Sequence, residues 1–219
     1  MKKSVFLFLL IVLTYSCNKI KENTVNDENR KDKKGQIEEK ELGLSQENNQ
    51  ILKDWISYYT AKDTTFSIEN FHFLKSDTLQ LLKGTIHGIF DKEFDTIYSD
   101  FIVFNNQKDK YIDFDSYNWE IDKQNKITFS VDQEIDLVNV AKKTVTRIAF
   151  NGSSQWVEEA FWKNDSIVVL LENTIENQPV IVEIYLKKNT ATAFQYKDKL
   201  DFKSEYAIKR LEKKGLIIE

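Results

Sequence analysis

Apolar residues recur along this chain with two different spacings, and each spacing predicts a different element. Over residues 47–60, Ile51, Trp55 and Tyr59 follow an i, i+4, i+8 stripe, which is typical of an amphipathic helix. Ser45 precedes the stripe and is available as an N-cap. A helix of this length is marginal alone in water, so we expect its apolar face to cover one side or end of a sheet.

From residue 64 to residue 196 the pattern changes to short runs of β-branched and aromatic residues, such as GTIHGIF, KYIDF, SIVVLL and VIVEIYL. About ten such runs, separated by polar pairs and single glycines, predict an antiparallel, mainly β protein. The dipeptide Asn151-Gly152 is the clearest turn, because both residues tolerate the positive φ of a tight hairpin.

A second helix is predicted over residues 204–214. Ser204 can cap its first turn, Ile208 and Leu211 form its apolar face, and Gly215 follows its last turn. We therefore predict a single β-rich domain over residues 47–219, with a short helix at each end.

Two stretches within the β region read alike. Residues 140–150 align with residues 186–196 at an offset of 46, and each reads as a strand, a Lys-rich turn and a strand. This period resembles the length of one four-stranded blade in β-propellers such as TolB-like and WD-type proteins. Residues 61–199 provide only about three blade lengths, and closed propellers use at least four. The blade-like meanders are therefore expected to pack as a sandwich or to curl into an open barrel.

The first residues follow the order of an export signal. Lys2 and Lys3 precede nine consecutive apolar residues at 5–13, and Cys17 follows shortly afterwards. Nine residues are too few to span a bilayer as a helix. The segment resembles a bacterial lipoprotein signal peptide, here residues 1–16, although Thr14 stands where that pattern usually has leucine. An ordinary secretory cleavage is the alternative.

The resemblance implies that Cys17 becomes the first mature residue and carries acyl chains. The membrane is then a partner through those chains, and the protein faces the periplasm or the cell surface. Residues 17–46 are polar and are predicted to be a flexible tether. The body is similar to bacterial envelope lipoproteins with segments like KYIDFDSYNW and EEAFWKNDSIVVLL, a group with no assigned activity.

Charge and cysteine content exclude some function classes. The chain has 31 basic and 35 acidic residues, and loss of Lys2 and Lys3 would move its formal charge from −4 to −6. An acidic protein has no electrostatic drive toward nucleic acid, so no nucleic-acid partner is expected. With one cysteine, the chain cannot form an internal disulfide.

Few motifs suggest catalysis or a cofactor. The two histidines, His72 and His87, lie in apolar runs, and the sequence contains no G-x-S-x-G, P-loop or dinucleotide motif. We therefore predict no catalytic residue and no cofactor. Asp132, Glu134 and Asp136 share a strand face by period two and are weak metal candidates, because calcium needs six to eight oxygens. The alternative interpretation is a solvated strand face.

Aromatic residues offer a candidate binding surface. Tyr117 and Trp119 are predicted to share one strand face, and Trp156 and Trp162 to share another. Either pair would suit stacking on a sugar or on a partner's side chain, although core packing is the commoner use of such residues.

These observations favour a lipid-anchored, non-catalytic envelope protein that binds or scaffolds another protein or a glycan. One alternative is an inhibitor or immunity-type protein that occludes a basic enzyme. The other is an envelope hydrolase that uses carboxylates. A buried acidic pair in a concave pocket would favour the hydrolase, and an exposed patch on a flat sheet would favour a binder.

Overall fold

A computed structural model describes residues 41–45, 49–123 and 126–218. The predicted signal peptide at 1–16, Cys17 and most of the predicted tether at 17–46 lie outside the described residues. Residues Glu39–Glu219 form one compact unit. Among the described residues, no helix has the length and apolar character needed to cross a membrane.

The described residues form twelve strands and two α-helices, so the prediction of a mainly β fold is confirmed. The helices are α1, Gln50–Thr60, and α2, Tyr206–Lys213. The strands are β1 Phe71–Thr78, β2 Leu82–Lys83, β3 Val103–Phe104, β4 Lys110–Asp113, β5 Trp119–Ile121, β6 Ile127–Phe129, β7 Gln133–Asn139, β8 Thr144–Asn151, β9 Gln155–Asn164, β10 Ile167–Thr174, β11 Val180–Tyr185 and β12 Thr190–Tyr196.

These strands build two five-stranded sheets and one hairpin. The first sheet has the order β1-β12-β11-β10-β9, the second has the order β2-β8-β7-β4-β3, and β5 pairs with β6. Every pairing is antiparallel. Neither sheet closes on itself, so the described residues form no closed barrel.

The two sheets pack face to face, as in a β-sandwich. One buried apolar cluster joins their facing sides and includes Ile112, Ile135, Ile148, Val168, Leu170 and Ile184. Each such side chain, when fully buried, stabilises the fold by ~1.5 to 3 kcal/mol. This cluster holds the sheets together along β4, β7 and β10.

Helix α1 covers the other face of the first sheet. Trp55 and Tyr59 are fully buried there against Val169 and Phe194. The Asn49 side chain caps the helix by accepting a hydrogen bond from the backbone N–H of Leu52 at 3.0 Å. The cap therefore lies four residues after Ser45, the residue that the sequence suggested.

Helix α2 packs against the β5–β6 hairpin. Leu211 is buried there with Trp119 and Ile127. The residue before the helix is Glu205, and Ser204 contributes by accepting a hydrogen bond from the backbone N–H of Tyr206 at 3.2 Å. Helix α2 thus lies within the predicted segment 204–214.

Two sequence predictions about local structure were wrong. The run GTIHGIF, residues 84–90, forms turns rather than a strand, because it crosses the outer face of the second sheet instead of pairing in it. Neither Asn151 nor Gly152 has a positive φ. These residues carry the chain from β8 in the second sheet to β9 in the first, so the two strands do not form a hairpin.

The two similar stretches do form similar hairpins. Lys143, in the turn between β7 and β8, has a φ of 53°, and Asn189, between β11 and β12, has a φ of 50°. These left-handed residues are separated by the same offset of 46 as the sequence repeat. The hairpins lie in different sheets, so the repeat gives equivalent turns without giving neighbouring strands.

Candidate functional site

The predicted platform of Tyr117 and Trp119 is not formed. Trp119 is only 2% exposed, and its indole N–H donates to Asp115 Oδ1 at 2.9 Å. Tyr117 lies in the turn before β5, partly exposed, with its ring 6.1 Å from that of Phe150. Trp119 therefore serves the core between the hairpin and α2.

Trp156 and Trp162 lie on opposite faces of the first sheet, so the prediction of a shared face was wrong. A β-bulge in β9 changes the register against β10 between these two residues. Trp162 pairs with Val168 on the side between the sheets, and Trp156 pairs with Asn173 on the side of α1. The extra residue of the bulge reverses the alternation on which the prediction depended.

The environments of the two tryptophans differ accordingly. The indole N–H of Trp162 donates to the carbonyl of Val103 at 2.8 Å, which ties β9 to β3. Trp156 is partly exposed and lines a small cleft of about 340 Å³ beside Ala207 and Ile208 of α2. Trp156 therefore lines a cleft, whereas the indole of Trp162 is bonded to the neighbouring sheet.

The carboxylates considered as metal candidates are mostly buried, so the interpretation as a solvated face was wrong. Glu134 and Asp136 are 1% and 0% exposed, whereas Asp132 lies before β7 and is partly exposed. The segment after β2 covers them, since the backbone N–H of Thr85 donates to Glu134 at 2.7 Å. Glu134 also forms an ion pair with Arg147 at 3.3 Å. Among the described residues, no group of three or more His, Cys, Asp or Glu side chains is placed to hold a metal.

Asp136 has an unusual environment. No N–H or hydroxyl group donates a hydrogen bond to its carboxyl oxygens, the Glu134 carboxyl lies beside them, and Asp113 is its cross-strand neighbour on β4. Burial, followed by the negative charge of nearby Glu134, raises the pKa of Asp136 to about 8. Burial also raises the pKa of Asp113 to about 6. The segment after β2 covers this acidic cluster, and the carboxyls of Asp113, Glu134 and Asp136 do not line the cleft beside Trp156.

A second buried carboxylate organises the contact between α1 and the first sheet. Glu158 Oε2 accepts hydrogen bonds from the Trp55 indole at 2.8 Å and from the Tyr59 hydroxyl at 2.6 Å. Its other oxygen accepts from the Ser204 hydroxyl, and Asn173 Nδ2 donates to the Tyr59 oxygen at 2.9 Å. Burial raises the pKa of Glu158, but these donors satisfy it, which is the pattern of a structural network.

A cleft with a buried carboxyl lies between the two sheets, lined by β1 and β12 of the first sheet and by β8 of the second. It encloses about 360 Å³, which is within the usual size of a small-molecule site. Its apolar walls come from β8, β10, β11 and β12. They include Ile148, Leu170, Val180, Val182, Ala191 and Ala193. The two alanines leave space that larger side chains would fill.

Glu172 of β10 is the buried acidic residue of this cleft. It is 2% exposed, and its Oε1 accepts a hydrogen bond from Asn151 Nδ2 at 3.0 Å. Gln155 Nε2 donates to Oε2. Burial raises the pKa of Glu172, and the two amide hydrogen bonds act in the opposite direction. A carboxyl at the base of an apolar cleft is the kind of group that orients a ligand.

The rim of the cleft carries opposite charges and exposed apolar side chains. Lys75 and Asp77 of β1 form an ion pair at 2.9 Å. Leu74 and Phe150 line the opening and are each 47% exposed. The ring of Phe150 lies on the outer face of the second sheet, because Phe150 pairs with Glu134, and the guanidinium of Arg147 lies 5.2 Å from it there. The opening is thus accessible, and only its base is buried.

Sequence reasoning did not identify Glu172. One signal for it was present: in SIVVLLENT, Glu172 is two residues after Leu170, so period two places both on the same buried face. A single acidic residue on an otherwise apolar strand face is a pattern that a site search can use. The sequence could not show that a cleft lies beside it.

Comparisons with known proteins supply no further guide to this site. No family model, curated protein or solved structure matches the chain.

Proposed function

We propose that this protein is a lipid-anchored module of the cell envelope that binds a small ligand between its two sheets without catalysing a reaction. The observation that carries the proposal is the cleft of about 360 Å³ with apolar walls and one buried carboxyl, Glu172. Convergent polar groups at the base of an apolar cleft are the usual form of a ligand site.

The hydrogen bonds around Glu172 support binding rather than turnover. Asn151 and Gln155 each donate an amide N–H to one of its oxygens. These donors fix the carboxyl in one orientation, which suits recognition of a matching group. The sequence predicts a protein or glycan partner on the β surface. We propose an occupant of small-molecule size, and the volume of the cleft supports this choice.

The anchor is proposed from the sequence. The lysines, the apolar run at 5–13 and Cys17 support a lipoprotein signal. Acyl chains on Cys17 would hold the protein at a membrane, with residues 17–46 as a tether. We also propose that β9–β12, four consecutive antiparallel strands of one sheet, is related to a propeller blade, with a short helix at each end of the domain.

Native mass spectrometry tests the binding proposal. The full-length chain extracted from its own membranes should carry a co-purifying small molecule. Ala193→Phe should lack it, because the larger side chain occupies the cleft, and Ala191→Leu serves as a second cleft variant. Ala141→Phe, in the exposed turn between β7 and β8, makes the same change outside the cleft and should retain the molecule.

The thermal midpoint of each variant shows whether it is folded. A co-purifying molecule that stays bound in both folded cleft variants would overturn the proposed site. Turnover of an added glycoside or peptide by the wild type would favour the hydrolase alternative instead.

A further inference from the structure

We infer that the cleft takes a small molecule in which an apolar body carries a protonated amine, and that Glu172 binds this amine. The inference rests on the proposed function and names the chemical class of the ligand. It follows from the charge, the hydrogen-bond capacity and the walls of the cleft.

The charge inside the cleft is unbalanced. Among the described residues, three charged side chains line it: Lys75, Asp77 and Glu172. Lys75 lies near enough to Glu172 for its charge to act against the rise in the pKa of Glu172, but its ammonium is paired with Asp77 at 2.9 Å, and no basic side chain of the described residues forms a direct ion pair with Glu172. A buried carboxylate without a direct ion pair is costly, so a ligand that brings a positive charge into contact with it gains most from this position.

The carboxyl of Glu172 also has unused acceptor capacity. An ionised carboxylate offers about four lone-pair sites, and Asn151 and Gln155 occupy one on each oxygen. An ammonium group has donors that suit the sites that remain. An anionic ligand would face the repulsion of Glu172 in the same place.

The walls select the rest of the ligand. Val182, Ala191 and Ala193 line the cleft from the first sheet, and Ile148 and Ala149 line it from the second. An aromatic or aliphatic ring system placed between them removes apolar surface from water at both sheets. The ligand class is therefore an apolar amine of modest size.

Isothermal titration calorimetry of the full-length chain in a non-ionic detergent tests this inference. The probes are tryptamine, tryptophol and indole-3-acetate, which share one ring and differ in charge. At pH 8 we expect tryptamine to bind at least about tenfold more tightly than tryptophol, since charge-assisted hydrogen bonds are the stronger ones. We expect no measurable binding of indole-3-acetate.

Two variants separate the role of Glu172 from general electrostatics. Glu172→Gln should bind tryptamine no more tightly than tryptophol. Asp201→Asn removes one negative charge at an exposed position outside the cleft and should keep the preference within about twofold of the wild type. Lowering the pH should weaken tryptamine binding to the wild type, because protonation of Glu172 removes the negative charge that binds the amine. The other two charged side chains of the cleft, Lys75 and Asp77, form an ion pair with each other.

The outcomes distinguish this inference from the proposed function. Equal binding of all three probes, an unchanged preference in folded Glu172→Gln, or no binding of tryptamine would each overturn the inference. In each of those cases the co-purifying molecule and its loss in Ala193→Phe decide the proposed function separately.

Discussion

Arg210 of α2 makes two hydrogen bonds to the carboxylate of Asp115, at 2.6 and 3.0 Å, and both side chains are buried. Asp115 also accepts the indole N–H of Trp119, and the guanidinium lies 4.7 Å from the Phe114 ring. One ion pair therefore joins the C-terminal helix to the connection between β4 and β5. Since α2 has only eight residues, this contact and Leu211 hold it in place.

Loss of that ion pair should destabilise the domain strongly. Arg210→Ala leaves Asp115 buried without its cation, so we expect the free energy of unfolding to fall by ~3 to 5 kcal/mol. Urea unfolding followed by tryptophan fluorescence measures the change. Lys209→Ala, at the exposed neighbouring position, should cost less than ~0.5 kcal/mol. Equal costs for the two variants would contradict the assigned role of the pair.

The network around Glu158 predicts a smaller effect. Tyr59→Phe removes the hydroxyl that donates to Glu158 and accepts from Asn173, so we expect a loss of ~1 to 3 kcal/mol in thermal or urea unfolding. Tyr117→Phe makes the same change in a partly exposed turn and should be within ~0.5 kcal/mol of the wild type. A Tyr59→Phe variant as stable as the wild type would show that the network does not hold α1 to the sheet.

Asp136 predicts a pH dependence of stability. Its pKa is about 8 in the folded protein and ~3.9 in an unfolded chain, so the folded state holds this proton more tightly. The free energy of unfolding should therefore decline as the pH rises from about 4 to about 8. Asp113, with a pKa of about 6, contributes mainly to the lower part of that range.

Asp136→Asn should flatten the decline between pH 6 and pH 8. We expect the variant to be more stable than the wild type at pH 8 by roughly 1 to 3 kcal/mol, because no buried charge forms. Asp63→Asn is the control: a hydrogen bond from Thr65 lowers the pKa of Asp63, so its titration lies below this range. A decline that persists unchanged in Asp136→Asn would contradict this explanation.

The anchor is tested by labelling. Radiolabelled palmitate should enter the wild type and the Thr24→Ser control but not Cys17→Ser, since the chain has no other cysteine. Fractionation should move Cys17→Ser away from the membrane. Equal labelling of Cys17→Ser and the wild type would remove the lipid anchor from the proposal.

The sequence alone determined the features that depend on residues close together in the chain. The stripe of Ile51, Trp55 and Tyr59 specified α1, and the alternating runs specified antiparallel strands. The equivalent turns at Lys143 and Asn189 were also visible as a repeat. These are local effects, because backbone geometry fixes which neighbours in sequence share a face.

Only the tertiary structure decided what lies against each face. One bulge in β9 placed Trp156 and Trp162 on opposite sides, and the segment after β2 buried Asp136 on a strand face that reads as solvated. The position of Glu172 at the base of a cleft depends on how two separate sheets pack against each other. Periodicity shows which residues share a side of a strand, but long-range packing decides which segment covers each side.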